Sequence, residues 1–256
     1  MNILVCVKRV PATAGKITLT PDEQEIDTRY LGFTVSPHEE CAVEEAVRIV
    51  EAQGGSSTVL TLGPAEAADQ LREAMAVGID RAIHLETDGS EWSAIDTAAA
   101  IAATVRDREA AEGPFDLILL GNEAADTGDY QIGVRVAVAL DRPVVSGVKG
   151  LEVRDDAIVA RREAAAGGWE IYEVPRPAVV SVREGINLPR YPSVPGRLRA
   201  RKKEIERIVP GRATAAPAKI RLRVPVEQES AVEILGEGPA AAPRVVEVLR
   251  RLGFVG

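Results

Sequence analysis

Two cysteines and two histidines in 256 residues leave little material for metal or redox chemistry. Cys6 lies inside an apolar run and Cys41 opens an amphipathic helix, so both read as buried free thiols. Without a Cys/His cluster a transition-metal site is not expected, and a chain of this length buries a sizeable core without disulfides or metals. Positive charge is also short. A net charge of −8 argues against general nucleic-acid binding, while leaving room for a local basic cluster that meets a partner. No apolar run reaches the length of a bilayer span, so no membrane insertion is expected. The chain opens on an apolar strand rather than a basic-then-apolar leader, and the expectation is a complete cytoplasmic protein of a prokaryote.

What the sequence does contain is a regular alternation of strand and helix signals. Ile3–Val7 is a short apolar run suited to a strand buried on both faces. The stretch from Ala12 to Ser36 is polar, with weak strand signals at Ile17–Leu19 and Ile26–Thr28, and is too long for a tight connection. Ser36-Pro37-His38-Glu39 has the spacing of a capping box with proline at the first helical position. Val43, Ala46, Val47 and Val50 then recur at helical intervals, opposite Glu44, Glu45, Arg48 and Glu51. Strand Thr58–Leu62, helix Ala65–Ala76, strand Ala82–Leu85, helix Ser93–Arg108, strand Leu117–Leu120 and helix Gln131–Leu140 continue the rhythm, which predicts βαβ units and a parallel sheet covered on both faces.

After Val144 the pattern changes to short strands, Leu151–Arg154, Ile158–Arg162, Trp169–Glu173 and Ala178–Val182, read as an antiparallel extension. A basic helix is expected at about Leu198–Ile208 and an amphipathic one at about Ala242–Leu252. The division expected is a nucleotide-binding α/β unit over 1–209 and a C-terminal arm over 210–256 that needs another surface to order it.

Ligands of parallel sheets collect beyond the carboxyl ends of the strands, here Lys8–Pro11, Gly63–Pro64 and Gly121–Asp129. The last of these opens the loop Gly121-Asn122-Glu123-Ala124-Ala125-Asp126-Thr127-Gly128-Asp129-Tyr130-Gln131-Ile132-Gly133. It joins a buried strand to a helix whose first N–H groups and dipole suit a phosphate. With no P-loop lysine, and with Asp126 and Asp129 set to repel a triphosphate, a monophosphate or diphosphate held by backbone fits better than a hydrolysed triphosphate. The same aspartates read equally well as helix caps. Lys8 and Arg9 either meet that phosphate or are solvated. His38, at a helix start, is disfavoured as a cation and reads as a neutral contact to a planar ligand. The run Arg197-Leu198-Arg199-Ala200-Arg201-Lys202-Lys203 follows a loop with three prolines, Asn187 to Gly196. It is either a solvated helix face or a docking element in which Val194 is a small apolar anchor and the cations steer encounter.

Taken in order, these segments resemble the β subunit of the electron-transfer flavoproteins over nearly the whole chain. Val5-Cys6-Val7-Lys8-Arg9-Val10-Pro11 matches its V-x-V-K-R/Q-V-P opening. Ser36 to Val47 matches N-P-x-x-E-x-A-V-E-E-A-V, and the glycine-rich loop ends in the expected Q-x-G. Arg176-Pro177-Ala178-Val179-Val180 matches L-P-A-V-V, and Asn187 to Lys203 matches N-E-P-R-Y followed by a basic helix.

The resemblance implies an α/β fold, a parallel doubly wound sheet of the adenine-nucleotide α-hydrolase-like kind with an antiparallel extension and a C-terminal arm packing on a larger α subunit. It implies an electron carrier subunit without catalysis of its own, in a heterodimer whose α subunit holds most of the FAD and whose β subunit holds a structural AMP. The AMP contacts implied are Cys6, Ser36, Pro37, His38, Glu39, Leu62 and the loop from Asn122 to Gly133, and the flavin-side contacts Thr13 and His38. The docking residues implied are Arg190, Tyr191, Val194, Pro195, Leu198 and Arg199, within a recognition loop 190–199 that meets acyl-CoA or related dehydrogenases. A quinone oxidoreductase is the implied acceptor. The segment Asp126 to Val134 matches neither the D-D-D-x-x-Q-T-G-Q of the AMP-binding form nor the D-G-D-T-A-Q-V-G-P of the electron-bifurcating form, which carries a second FAD. AMP is the expectation adopted. A stand-alone adenine-nucleotide-binding regulatory domain is the alternative from another class.

Overall fold

The computed structural model describes residues 1–12, 17–212, 219–225 and 232–255. Thr13 lies outside the described residues. The chain runs β1 (Asn2–Val7), β2 (Val10–Pro11), β3 (Phe33–Thr34), α1 (Pro37–Gln53), β4 (Ser56–Gly63), α2 (Ala68–Val77), β5 (Arg81–Glu86), α3 (Ala94–Glu112) and β6 (Leu117–Gly121). It continues through α4 (Ile132–Leu140), β7 (Val144–Val153), β8 (Ala157–Glu163), β9 (Trp169–Pro175), β10 (Ala178–Val182), α5 (Val194–Lys202), β11 (Glu206–Ile208) and α6 (Ala242–Arg251).

Nine strands form one sheet in the order β11-β5-β4-β1-β6-β10-β7-β8-β9. From β11 to β7 every pairing is parallel, and only β7-β8 and β8-β9 are antiparallel. Alternate residues of the central strands feed two separate cores. Ile3, Val5 and Val7 pack with α1 and α2 on one face, while Leu4 and Cys6 pack with α3 and α4 on the other. That two-faced burial is why these strands read as continuous apolar runs. The chain fills the sheet outward from β1 through β4 to β5, then α3 carries it back across to β6 on the other side of β1. The direction of winding therefore reverses at β1/β6, the place where an open α/β sheet forms a crevice at its carboxyl edge.

Three expectations from the sequence are corrected. Ala178–Val182 belongs to the parallel sheet, paired on both sides with β6 and β7, and not to the antiparallel extension. All five of its residues are buried, a run without alternation, as a strand covered on both faces requires. The basic helix begins four residues earlier than expected, at Val194, because Ser193 Oγ accepts the Gly196 N–H at 3.1 Å and caps it. It also ends sooner. Glu206–Ile208 is β11, pairing parallel with β5 at the sheet edge.

Candidate functional site

At the reversal point the structure holds a cavity of about 290 Å³. Its apolar part is Cys6, Leu60, Leu62 and Leu120 from the strand ends, with Ile101 from α3. Lys8, Arg9 and Glu39 line it, as do Asn122, Glu123, Ala124, Asp126, Thr127, Asp129, Tyr130, Gln131, Ile132 and Gly133. The loop expected to cradle a phosphate thus meets the end of β1 around one space.

The loop is held there by specific bonds. Asn122 N–H donates to the Val182 carbonyl at 2.9 Å, and Ala125 N–H donates to Ser36 Oγ at 2.9 Å. Lys8 Nζ lies 2.7 Å from Asp126 Oδ2. Glu39 closes the other side of the capping box, accepting the Ser36 N–H at 3.0 Å and the Lys8 N–H at 2.9 Å. One carboxyl thereby joins the end of β1 to the start of α1. Burial pushes Glu39 up to about 8, against the pull of those two N–H groups and the Lys8 ammonium in the other direction. Burial likewise pushes Cys6 up to about 12, so its thiol stays protonated and apolar.

Glycine is required at two points of this loop by close approach. A Cβ on Gly121 would lie 2.6 Å from Glu39 Cγ, and one on Gly133 would lie 2.3 Å from Ser181 Oγ. Gly133 therefore sets α4 down on β10 and brings its first turn to the cavity. By helix geometry the N–H groups of that turn have no intrahelical acceptor. Tyr130, with φ of 56°, turns the chain into the helix. Gln131 Oε1 accepts from Arg135 at 2.8 Å and 3.0 Å.

The side chains around the cavity carry more negative than positive charge. Lys8 is already spent on Asp126. Arg9 lies over the Phe33 ring, 3.2 Å from its centroid, and its pKa is lowered chiefly by burial. An anionic ligand would therefore meet backbone N–H groups at the α4 terminus rather than a cationic side chain.

Ser36, Pro37, His38, Ala125 and Gly128 stand outside the lining. Ser36 acts from behind through Ala125, and the Gly128 N–H closes a turn on the Ala124 carbonyl at 2.9 Å. His38 Nε2 is 3.6 Å from Glu123 Oε1, and its buried Nδ1 has no partner among the described residues. Burial lowers its pKa, partly offset by Glu123.

Sequence reasoning missed one wall. Thr87, Ser90, Glu91 and Trp92, with Ala94 and Thr97 at the start of α3, also line the cavity. They follow β5, whose carboxyl end lies on the same edge as those of β1, β4 and β6. The parallel alternation and the Ser93-x-x-Asp96 helix start were the available signals.

The expected docking residues lie elsewhere: Arg190 is held against α1, and Val194, Pro195, Leu198 and Arg199 belong to α5, which packs on α2. Arg190 turns inward: Nε and Nη2 donate to the two oxygens of Glu44 at 2.9 and 3.0 Å, and Nη1 and Nη2 to those of Glu51 at 2.7 and 2.9 Å. Asn187 Nδ2 donates to the Cys41 carbonyl at 3.0 Å and to Glu45 at 2.9 Å. Beyond these anchors Tyr191 is 95% exposed and Val194 72%, and Pro195, Leu198 and Arg199 are exposed too.

A doubly wound parallel sheet with a cavity at its reversal point defines an α/β protein whose ligand site is expected at that crevice. The electron transfer flavoprotein domain model matches residues 25–211. The chain is 35% identical over 210 residues to the electron transfer flavoprotein subunit beta of Bacillus subtilis, covering 81% of this chain and 79% of that one. It is 36% identical over 207 residues to the same subunit of Thermoanaerobacterium thermosaccharolyticum, covering 80% and 77%. With the human subunit it shares 35% identity over 214 residues and 82% of each chain. The chain belongs to the electron transfer flavoprotein β subunit family. Among the described residues no helix is long and apolar enough to cross a membrane.

Proposed function

We infer that this chain is the non-catalytic half of a heterodimeric electron carrier of the cytoplasm. It supports an FAD held mainly by the α subunit, binds AMP in the cavity described above, and presents loop 190–199 to acyl-CoA or related dehydrogenases. A quinone oxidoreductase receives the electrons. When bound, the flavin supplies the redox chemistry. This chain's residues bind, position and exclude water.

The observation that carries the AMP reading is the size and chemistry of the cavity. Its volume of about 290 Å³ stands at the small end of the roughly 300–1,000 Å³ of ligand pockets, which suits one nucleoside monophosphate and is small for a dinucleotide. Apolar strand ends and the first turn of α4 both line it, which offers an apolar surface to a base and backbone N–H groups to a phosphate.

Docking through the loop is supported by its build: an exposed Val194 beside exposed cations, on a loop clamped at Arg190. Arg190 serves as the anchor of the loop and the residues from Tyr191 to Arg199 as its contact surface. A clamped loop binds without a large ordering cost.

Purification of the αβ complex, followed by denaturation and chromatographic identification of the released nucleotides, tests this reading. One FAD and one AMP per dimer are expected. Two FAD would replace it with the bifurcating form. In a Thr97→Phe variant, which fills the cavity from α3, AMP is expected to be lost while FAD is retained. Unchanged AMP content in that variant would place the nucleotide elsewhere.

A further inference from the structure

Beyond β11 the chain turns back onto the cavity wall that follows β5. The guanidinium of Arg212 lies 5.3 Å from the centroid of the Trp92 ring, donates to Ser90 Oγ at 3.3 Å and donates to the Glu91 carbonyl. Its Nε is 3.6 Å from Asp96 Oδ2. Asp96 is only 2% exposed. Its other oxygen has no partner among the described residues, and Arg212 is the one cation beside it among them. Lys219 Nζ adds a contact of 2.6 Å to Glu91 Oε2.

Ser90, Glu91 and Trp92 all line the cavity. One side chain from outside the sheet therefore stacks on Trp92 and hydrogen-bonds to Ser90 and Glu91 in the cavity wall, and pairs with Asp96 in the first turn of the helix that follows. A planar guanidinium suits this combination, since it stacks on an aromatic ring while its fork engages oxygens at the edge. The position is hard to explain as surface decoration, because the carboxylate it faces is buried, and a buried carboxylate without its cation is costly.

We propose that Arg212 is a positioning residue of the nucleotide cavity: it latches the chain beyond β11 to the Ser90–Trp92 loop and fixes that loop as the wall that retains the nucleotide. The proposal rests on the cavity being the nucleotide site. It makes nucleotide residence and the position of the C-terminal chain reciprocal. A surface that draws the chain away from Trp92 weakens nucleotide retention, and a bound nucleotide holds the chain in place by the same factor.

The test uses the full chain in its αβ complex, as wild type, Arg212→Gln and Arg212→Lys. Exchange of bound AMP against excess labelled AMP is expected to be about tenfold faster in Arg212→Gln, the loss of one charge-assisted contact. Arg212→Lys, which restores the charge near Asp96 without the planar fork, is expected to fall between. Hydrogen exchange over Thr87–Thr97 is read in the same samples and again after the nucleotide is stripped, and is expected to be faster in Arg212→Gln under both conditions. Equal AMP exchange rates overturn the proposal, as does unchanged hydrogen exchange in the stripped protein. A wild-type complex that carries no adenine nucleotide overturns the assignment of the cavity instead, and the stripped-state exchange then still decides whether the latch exists. Arg212→Lys keeps the experiment decisive if Arg212→Gln does not fold.

Discussion

Glu39 joins the end of β1 to the start of α1 through one buried carboxyl, and its ionisation should be visible in stability. Its folded pKa is raised from an ordinary 4.5 to about 8. Between those values the unfolded chain has released the proton and the folded chain keeps it, so unfolding releases a proton and stability falls as pH rises through that window. Glu39→Gln removes the titration. The stability difference between wild type and variant, measured by urea unfolding, is expected to shift in favour of the variant from pH 5 to pH 8. A pH-independent difference would mean the carboxyl is ionised throughout. Gly133 makes a second residue-scale case. Gly133→Ala places a methyl 2.3 Å from Ser181 Oγ, and overpacking of this kind costs about 1–3 kcal/mol. Because the Ser181 Cβ is 3.7 Å from the same point, Ser181→Ala should recover most of that loss in the double variant. Additive losses in urea unfolding of the two single variants and the double would show that the clash is not the cause.

Among the elements, α1 anchors the exposed loop, and the energy of the anchor lies in Glu44. That carboxylate is buried and its cation is Arg190, whose own pKa the two carboxylates raise. Arg190→Ala leaves Glu44 without a counter-charge and is expected to cost about 3 kcal/mol in denaturant unfolding. Glu51→Gln removes only the exposed arm of the clamp and should cost under about 1 kcal/mol. Equal costs would locate the anchor in Glu51 instead. How much of this was legible in the sequence follows from the same physics. Periodicity placed α1, β4, α3 and β6, because an element with one or two buried faces must show them in its residue pattern. It put the Gly121–Gly133 loop at the carboxyl end of β6 for that reason. It could not reveal that Arg190 points inward, since a cation near a proline-rich loop looks the same whether it meets a partner or a buried glutamate on a distant helix. β10 was misassigned to the antiparallel extension because it follows two antiparallel strands in the chain. Its neighbours in the sheet, β6 and β7, are set by the crossover and not by sequence order. The wall after β5 was missed for a related reason, as Thr87, Ser90 and Trp92 come together with the Gly121–Gly133 loop only once α3 has carried the chain across the sheet.

At the scale of the whole molecule, the sheet and its cavity are one packed body, whereas α6 lies apart from both cores. None of its residues is buried, and Val245, Val246, Leu252 and Phe254 are exposed beside Arg244, Arg250 and Arg251. A helix whose apolar stripe is no more than partly covered among the described residues contributes little to the stability of its own chain. In the heterodimer proposed here, that stripe is the surface available to the α subunit. Deleting residues 232–256 leaves Arg212 and the cavity wall intact, so the isolated truncated chain is expected to melt at the same temperature as the full chain by circular dichroism. Its co-purification with the α subunit should fall sharply, because the apolar area that the helix would bury is lost. A lowered melting temperature would place α6 on its own body. Undiminished association would mean that the subunits meet through the sheet and loops alone.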